Sequence, residues 1–144
     1  MDKKIILLAE DDPNDVELVL DALKAHNIVN QIIVTRDGAE CLDYLHRRGE
    51  FAERENGNPL LILLDLKMPK VDGFEVLRDV KSDPALKAIP VIVLTSSKQE
   101  RDILTSYNLG VNAFVVKPVD FDQFMQVVRD LSLFWLLINE PPPL

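Results

Sequence analysis

The stretch Leu60-Leu61-Ile62-Leu63-Leu64-Asp65-Leu66-Lys67-Met68-Pro69-Lys70-Val71-Asp72-Gly73 decides the fold. Five consecutive Leu and Ile residues read as a strand buried on both faces. Pro69 and the Asp72-Gly73 pair then turn the backbone. Asp65 closes the apolar run, so a carboxylate stands at the end of a buried strand and is held by a stiff loop. Glu10-Asp11-Asp12 stands in the same relation to Ile5-Ile6-Leu7-Leu8-Ala9. Two strand ends bearing carboxylates suggest one site for a divalent cation and a phosphoryl group.

Outward from this stretch, strands and helices alternate five times. Strands are expected at about 4–9, 31–35, 60–64, 91–94 and 113–116. Helices are expected from Asp12-Pro13, over 38–48, over 73–81, over 99–109 with Gly110 as the stop, and from 120 to 138. Residues 49–58 are polar, contain two glycines and read as a long surface loop. Strict alternation implies an α/β fold, a doubly wound five-stranded parallel sheet with helices on both faces. Ligands of such sheets bind beyond the carboxyl ends of the strands, where the strand order reverses. In a 2-1-3-4-5 order that point lies between strands one and three, where Glu10, Asp11 and Asp65 stand. Thr95 and Lys117 end strands four and five on the same rim.

The 144 residues fit one domain. A formal net charge of −8 argues against a nucleic-acid-binding face, which needs a basic patch. Cys41 is the sole cysteine, so no intramolecular disulfide can form, and its neighbours Leu42 and Leu45 mark it as a small buried hydrophobe. Neither a secretory signal nor an apolar run of about 20 residues is present, so no membrane association and a cytoplasmic location are expected.

Glu10-Asp11, Asp65 with Met68-Pro69-x-x-Asp72-Gly73, Thr95-Ser96 and Lys117-Pro118 occur in order, each at a strand end. In this the chain resembles the receiver domains of two-component response regulators, with their flavodoxin-like fold, over about residues 4–130. The resemblance implies that Asp65 takes a phosphoryl group from a histidine kinase. It implies Mg²⁺ held by Asp11 and Asp65, by Glu10 through a water, and by the backbone carbonyl of Lys67. Lys117, the Thr95 hydroxyl and the Ser96 backbone N–H would meet the phosphoryl oxygens. Phe114, three residues before Lys117, takes the place of the aromatic switch residue and lacks the hydroxyl of a Tyr. A cis bond between Lys117 and Pro118 is implied as well.

Simpler roles compete at several positions. Asp12 reads better as a helix cap than as a ligand, and Asp72 as a turn residue. Lys117 could be a snorkelling surface lysine, and Thr95 a helix cap. His26 and His46 read as surface residues on helices away from the rim. A Mg²⁺-dependent phosphohydrolase of the haloacid-dehalogenase type would want a second Asp two residues after the nucleophile, where this chain has Lys67. A receiver that binds without phosphorylation is disfavoured because every phosphoryl-site residue is present. The expected role is therefore a phosphoacceptor signalling protein and not an enzyme, beyond self-catalysed phosphoryl transfer and slow autodephosphorylation.

No effector follows the receiver pattern, so output through protein contacts is expected. Residues 1–130 read as the receiver domain and 131–144 as a helix end and tail. Residues 131–138 are apolar almost all round and would expose a large patch on a monomer. A homodimer anchored by Phe134, Trp135 and Leu137 is expected. This block and the loop at 49–58 resemble the stand-alone regulators that partner phytochrome histidine kinases.

Overall fold

The computed structural model describes residues 4–55, 57–95, 99, 108–111, 113–117 and 120–130. Its elements are β1 Ile5–Ala9, α1 Pro13–Ala25, β2 Gln31–Thr35, α2 Gly38–His46, β3 Leu61–Asp65, α3 Gly73–Ser82, β4 Val91–Thr95, β5 Ala113–Val116 and α4 Phe121–Asp130. The sheet has five strands in the order β2-β1-β3-β4-β5, and every pairing is parallel. This is the expected doubly wound topology.

Side chains alternate across each strand, and both faces are covered. Ile6, Leu8, Leu61, Leu63, Ile92 and Leu94 pack with Val16, Val19 and Leu23 of α1 and with Phe124 and Val128 of α4. Leu7, Ala9, Ile62, Leu64, Val91 and Val93 pack on the other side with Cys41, Tyr44 and Leu45 of α2 and Val76, Leu77 and Val80 of α3. All five residues of β1 and of β3 are buried. A strand with helices on both faces needs apolar residues at odd and even positions alike, which is why these strands read as unbroken runs. Cys41 is fully buried as expected, and burial pushes its thiol up to about 12.

The register sets the site. Ala9 stands opposite Leu64, so Glu10 emerges beside Asp65. Asp65 stands opposite Leu94, and Thr95 opposite Val116. The strand ends therefore finish at nearly one level.

Several boundaries differ from the sequence reading. β3 runs one residue later and includes Asp65, and β4 includes Thr95. α2 stops at His46, not at 48. Arg47 takes the left-handed conformation (φ 56°, ψ 52°), and the N–H of Arg48 returns to the carbonyl of Asp43 at 2.8 Å. This closure satisfies carbonyls that the helix end would leave open. The loop after it is anchored. Gly49–Phe51 forms a short 3-10 turn, and Phe51 meets the Tyr44 ring edge-on at 5.1 Å. Arg54 lies over the same ring at 4.2 Å and donates from Nε to the Tyr44 carbonyl at 2.7 Å.

His26 is exposed as expected, while His46 differs from expectation. His26 is the C-terminal cap of α1 and stacks on Phe121 at 3.5 Å. His46 is half-buried and joins α2 to α3 through Asp79, with Nε2 2.5 Å from Oδ2. Gly110 has φ +84°, the left-handed conformation that suits a helix stop. The helix expected at 99–109 lies almost wholly outside the described residues, as do the Lys117–Pro118 bond and residues 131–144. No helix among the described residues is long and apolar enough to cross a membrane.

Candidate phosphoryl and metal site

Each acid is placed by a local device. Asp12 caps α1, accepting from the Asn14 N–H at 2.8 Å, with Pro13 at the first helical position. This capping role is the one expected for Asp12, and it leaves Glu10 and Asp11 between the end of β1 and the helix. Glu10 is fully buried and Asp11 exposed. Asp72 proves to be more than a turn residue: it caps α3, accepting from the Glu75 N–H at 3.0 Å.

Gly73 is required by contact. A Cβ there would lie 2.3 Å from the Asp65 carbonyl oxygen and 2.6 Å from the Leu66 Cα. The Gly73 N–H instead donates to the Leu66 carbonyl at 2.8 Å. The loop from Asp65 to Gly73 also leans on α2. A Cβ at Gly38 would meet the Val71 carbonyl oxygen at 1.8 Å, and Lys70 Nζ lies 3.4 Å from Asp37.

Glu10, Asp11 and Asp65 each offer an oxygen within 4.8 Å of the others. Three carboxylate oxygens in one cluster are the donor set of a hard divalent cation, which takes oxygen ligands. Two of the three acids are buried, at 0% exposure for Glu10 and 4% for Asp65. The cluster fits a divalent cation. The exposed Lys67 side chain points to no role of its own, while its backbone N–H lies 3.4 Å from Asp65 Oδ1.

Lys117 crosses from β5 into this cluster and is not a surface lysine. Its side chain is 9% exposed, with Nζ 2.6 Å from Glu10 Oε1, 2.9 Å from Asp15 Oδ2 and 3.5 Å from Asp65 Oδ2. Burial would lower its pKa, but the hydrogen bonds to Glu10 and Asp15 outweigh burial and raise it. Burial pushes the Glu10 carboxyl up to about 8, helped by a hydrogen bond to Asp65 and opposed by Lys117. Burial also raises Asp65, against the hydrogen bond from Glu10 and the charge of Lys117.

The structure brings Glu10, Asp11, Asp65 and Lys117 together as the sequence implied. Phe114 pairs with Val93 and is half-buried against the second core. Thr95 ends β4 on the same rim. Its hydroxyl and Ser96 lie outside the described residues. Asp15 is the residue that sequence reasoning missed, since a polar position in the first turn of a helix carries no signal of a partner on a distant element. Its third-residue position in the helix fits a capping acid, and only the fold reveals the contact with Lys117.

A doubly wound parallel sheet with this acid cluster and lysine at its switch point is the architecture of a receiver. Residues 6–129 match the response regulator receiver domain, and the chain belongs to that family. Receiver-domain response regulators are signalling proteins.

Response regulator Rcp1 of Synechocystis is 42% identical over 133 residues, 92% of this chain and 89% of Rcp1. The solved bacteriophytochrome response regulator RtBRR is 57% identical with a TM-score of 0.87, over 99% of this chain and 86% of RtBRR. The phosphorylated cyanobacterial phytochrome response regulator RcpA is 44% identical with a TM-score of 0.78, over 93% of this chain and 94% of RcpA. Rcp1 itself has been solved in a Mn²⁺-bound form, with a TM-score of 0.77 to this chain.

Proposed function

We propose that this chain accepts a phosphoryl group on Asp65 from a phosphohistidine of a phytochrome-type histidine kinase and signals through protein contacts. The observation that carries the reading is Asp65 itself: a buried carboxylate at the end of β3, clustered with Glu10 and Asp11 and 3.5 Å from the Lys117 ammonium. The likeness to RtBRR, Rcp1 and RcpA supports the phytochrome partner.

In the transfer, an Asp65 oxygen forms a bond to phosphorus as the bond from phosphorus to the imidazole nitrogen breaks. The nitrogen keeps the electron pair. The obstacle is repulsion between an anionic nucleophile and an anionic group, so positioning and electrostatics dominate. Lys117 offers an N–H to one phosphoryl oxygen, and the Thr95 hydroxyl and Ser96 N–H offer donors to others. Asp11, Asp65 and the Lys67 carbonyl would hold Mg²⁺, with Glu10 acting through a water, and when bound the ion offsets the repulsion. Slow hydrolysis of the aspartyl phosphate resets the protein. Phe114 would report the modified state to the surface.

Residues 1–130 would form the receiver. Residues 131–144 would pair two copies into a homodimer through Phe134, Trp135 and Leu137. The protein would work in the cytoplasm, away from nucleic acid and membrane.

The test is labelling by acetyl phosphate with Mg²⁺, and by purified phytochrome-type and unrelated kinases. Asp65→Asn should lose the acid-labile label, and the phytochrome-type kinase should transfer fastest. Undiminished label on Asp65→Asn would remove the assignment.

A further inference from the structure

We propose that Asp15 is a positioning residue for phosphoryl transfer: it anchors the Lys117 ammonium so that one N–H stays free for the incoming phosphoryl group. The inference rests on the phosphoacceptor reading above and adds a residue to it.

Asp15 is the third residue of α1, counted from the Asp12 cap. An acid there commonly reaches back to the N–H of the cap residue. Here the Asp12 N–H lies against Glu10 Oε2 at 3.4 Å, and the Asp15 carboxylate turns to Lys117 at 2.9 Å. A favourable interaction with the helix dipole would explain an acid in the first turn. It would not explain this contact across 102 residues of sequence.

An ammonium has three N–H donors. Glu10 at 2.6 Å and Asp15 at 2.9 Å take two. The next carboxylate oxygen is Asp65 Oδ2 at 3.5 Å, longer than a good N–H···O bond. One donor is therefore held beside the nucleophile but weakly used. Lysine is a flexible side chain whose ordering is costly, and two anchors fix it before the phosphoryl group arrives. The anchors are not equivalent. Glu10 belongs to the acid cluster that fits a cation, and Asp15 does not. Asp15 would go on holding Lys117 were Glu10 engaged by a cation. Its side chain is 26% exposed, against 0% for Glu10, so the anchor stands at the edge of the site.

The test is a double-mutant cycle on the rate of labelling by acetyl phosphate in Mg²⁺. Asp15→Ala should slow labelling about tenfold where Lys117 is present, the scale of a charge-assisted hydrogen bond. In a Lys117→Met background the same change should alter the rate less than about twofold. Equal factors in the two backgrounds, or no effect beside Lys117, would overturn the proposal. Should the alanine variant fail to fold, Asp15→Asn keeps the shape without the charge and serves in the same cycle.

A second readout needs no phosphorylation. The ammonium protons of Lys117, followed by NMR in ¹⁵N-lysine-labelled protein, should exchange faster with water in the Asp15 variants, and unchanged exchange would count against the anchor. Failure of the phosphoacceptor reading looks different: wild-type label that persists in Asp65→Asn.

Discussion

Gly73→Ala should be among the most damaging small substitutions in the chain. The added Cβ would lie 2.3 Å from the Asp65 carbonyl oxygen, 2.6 Å from the Leu66 Cα and 3.1 Å from the Asp65 carbonyl carbon. All three are backbone atoms, and ordinary contact begins near 3.4 Å. The start of α3 must therefore retreat from the end of β3 by about 1 Å, since atoms this close cannot interpenetrate. Such overpacking costs about 1–3 kcal/mol. The retreat also stretches the 2.8 Å bond from the Gly73 N–H to the Leu66 carbonyl, worth about 1 kcal/mol. A loss of about 2–4 kcal/mol from a stability of about 5–15 kcal/mol is expected. Gly57→Ala is the control, because a Cβ there meets nothing within 4 Å; reduced freedom of the unfolded chain should leave it neutral or slightly stabilising. Urea unfolding of both variants gives the comparison. The displaced atoms belong to Asp65 and Leu66, so Gly73→Ala should also weaken Mg²⁺ binding. A Gly73→Ala variant as stable as Gly57→Ala would refute the reasoning.

Other predictions follow from the same geometry. Glu10 has its pKa raised by burial to about 8, so its contribution to stability is present below the ordinary carboxylate range and is lost as pH rises through about 8. In EDTA the urea midpoint should therefore fall between pH 6 and 8.5, and Mg²⁺ should protect more at pH 8.5, where the carboxylates are ionised; a midpoint in EDTA that rises with pH would contradict this. His46→Ala should cost about 1 kcal/mol through its half-buried contact with Asp79, and a cycle with Asp79→Ala should show the two losses to be non-additive. Cys41, fully buried, should react with a thiol reagent only on unfolding, and fast reaction of the native protein would contradict the packing. Wild-type protein should sediment as a dimer at tens of micromolar, and Phe134→Ala/Trp135→Ala as a monomer; a variant that dimerises equally well would exclude that segment.

What the sequence disclosed and what it hid divide along the range of the interactions. The strands were legible because a sheet covered on both faces demands apolar residues along its length, and 61–64 carries that demand undiluted before Asp65 ends the strand. The starts of α1 and α3 were legible because Asp12-Pro13 and Asp72-Gly73 act on their own neighbours. Asp65, Glu10 and Asp11 could be grouped because topology alone puts the ends of β1 and β3 side by side. The end of α2 was not legible, since Arg47 takes a left-handed conformation that usually signals glycine. The Arg54–Tyr44 contact and the His46–Asp79 pair each depend on how two elements dock. Gly38 looked like an ordinary helix start, and its need for a hydrogen in place of a side chain comes from Val71, far along the chain. Asp15 was hidden for the same reason: its partner Lys117 arrives just after β5.

The charges at the rim suggest an order of events. Glu10, Asp15 and Asp65 gather around Lys117 and Asp11 joins Glu10 and Asp65, four carboxylates against one ammonium, a formal −3 if all were ionised. Two of these carboxylates, Glu10 and Asp65, are buried, which is costly, and their raised pKa values express the cost. An anionic phosphoryl donor approaching this cluster meets repulsion that one lysine cannot cancel. A divalent cation held by these carboxylates would lower the excess by two and favour their ionised forms. Cation binding and carboxylate ionisation would then be linked. Lys117 remains outside the acid triad and is kept charged by its partners. The cation should therefore precede the phosphoryl group, and labelling without it should be slow at any pH, since raising the pH leaves the excess negative charge in place.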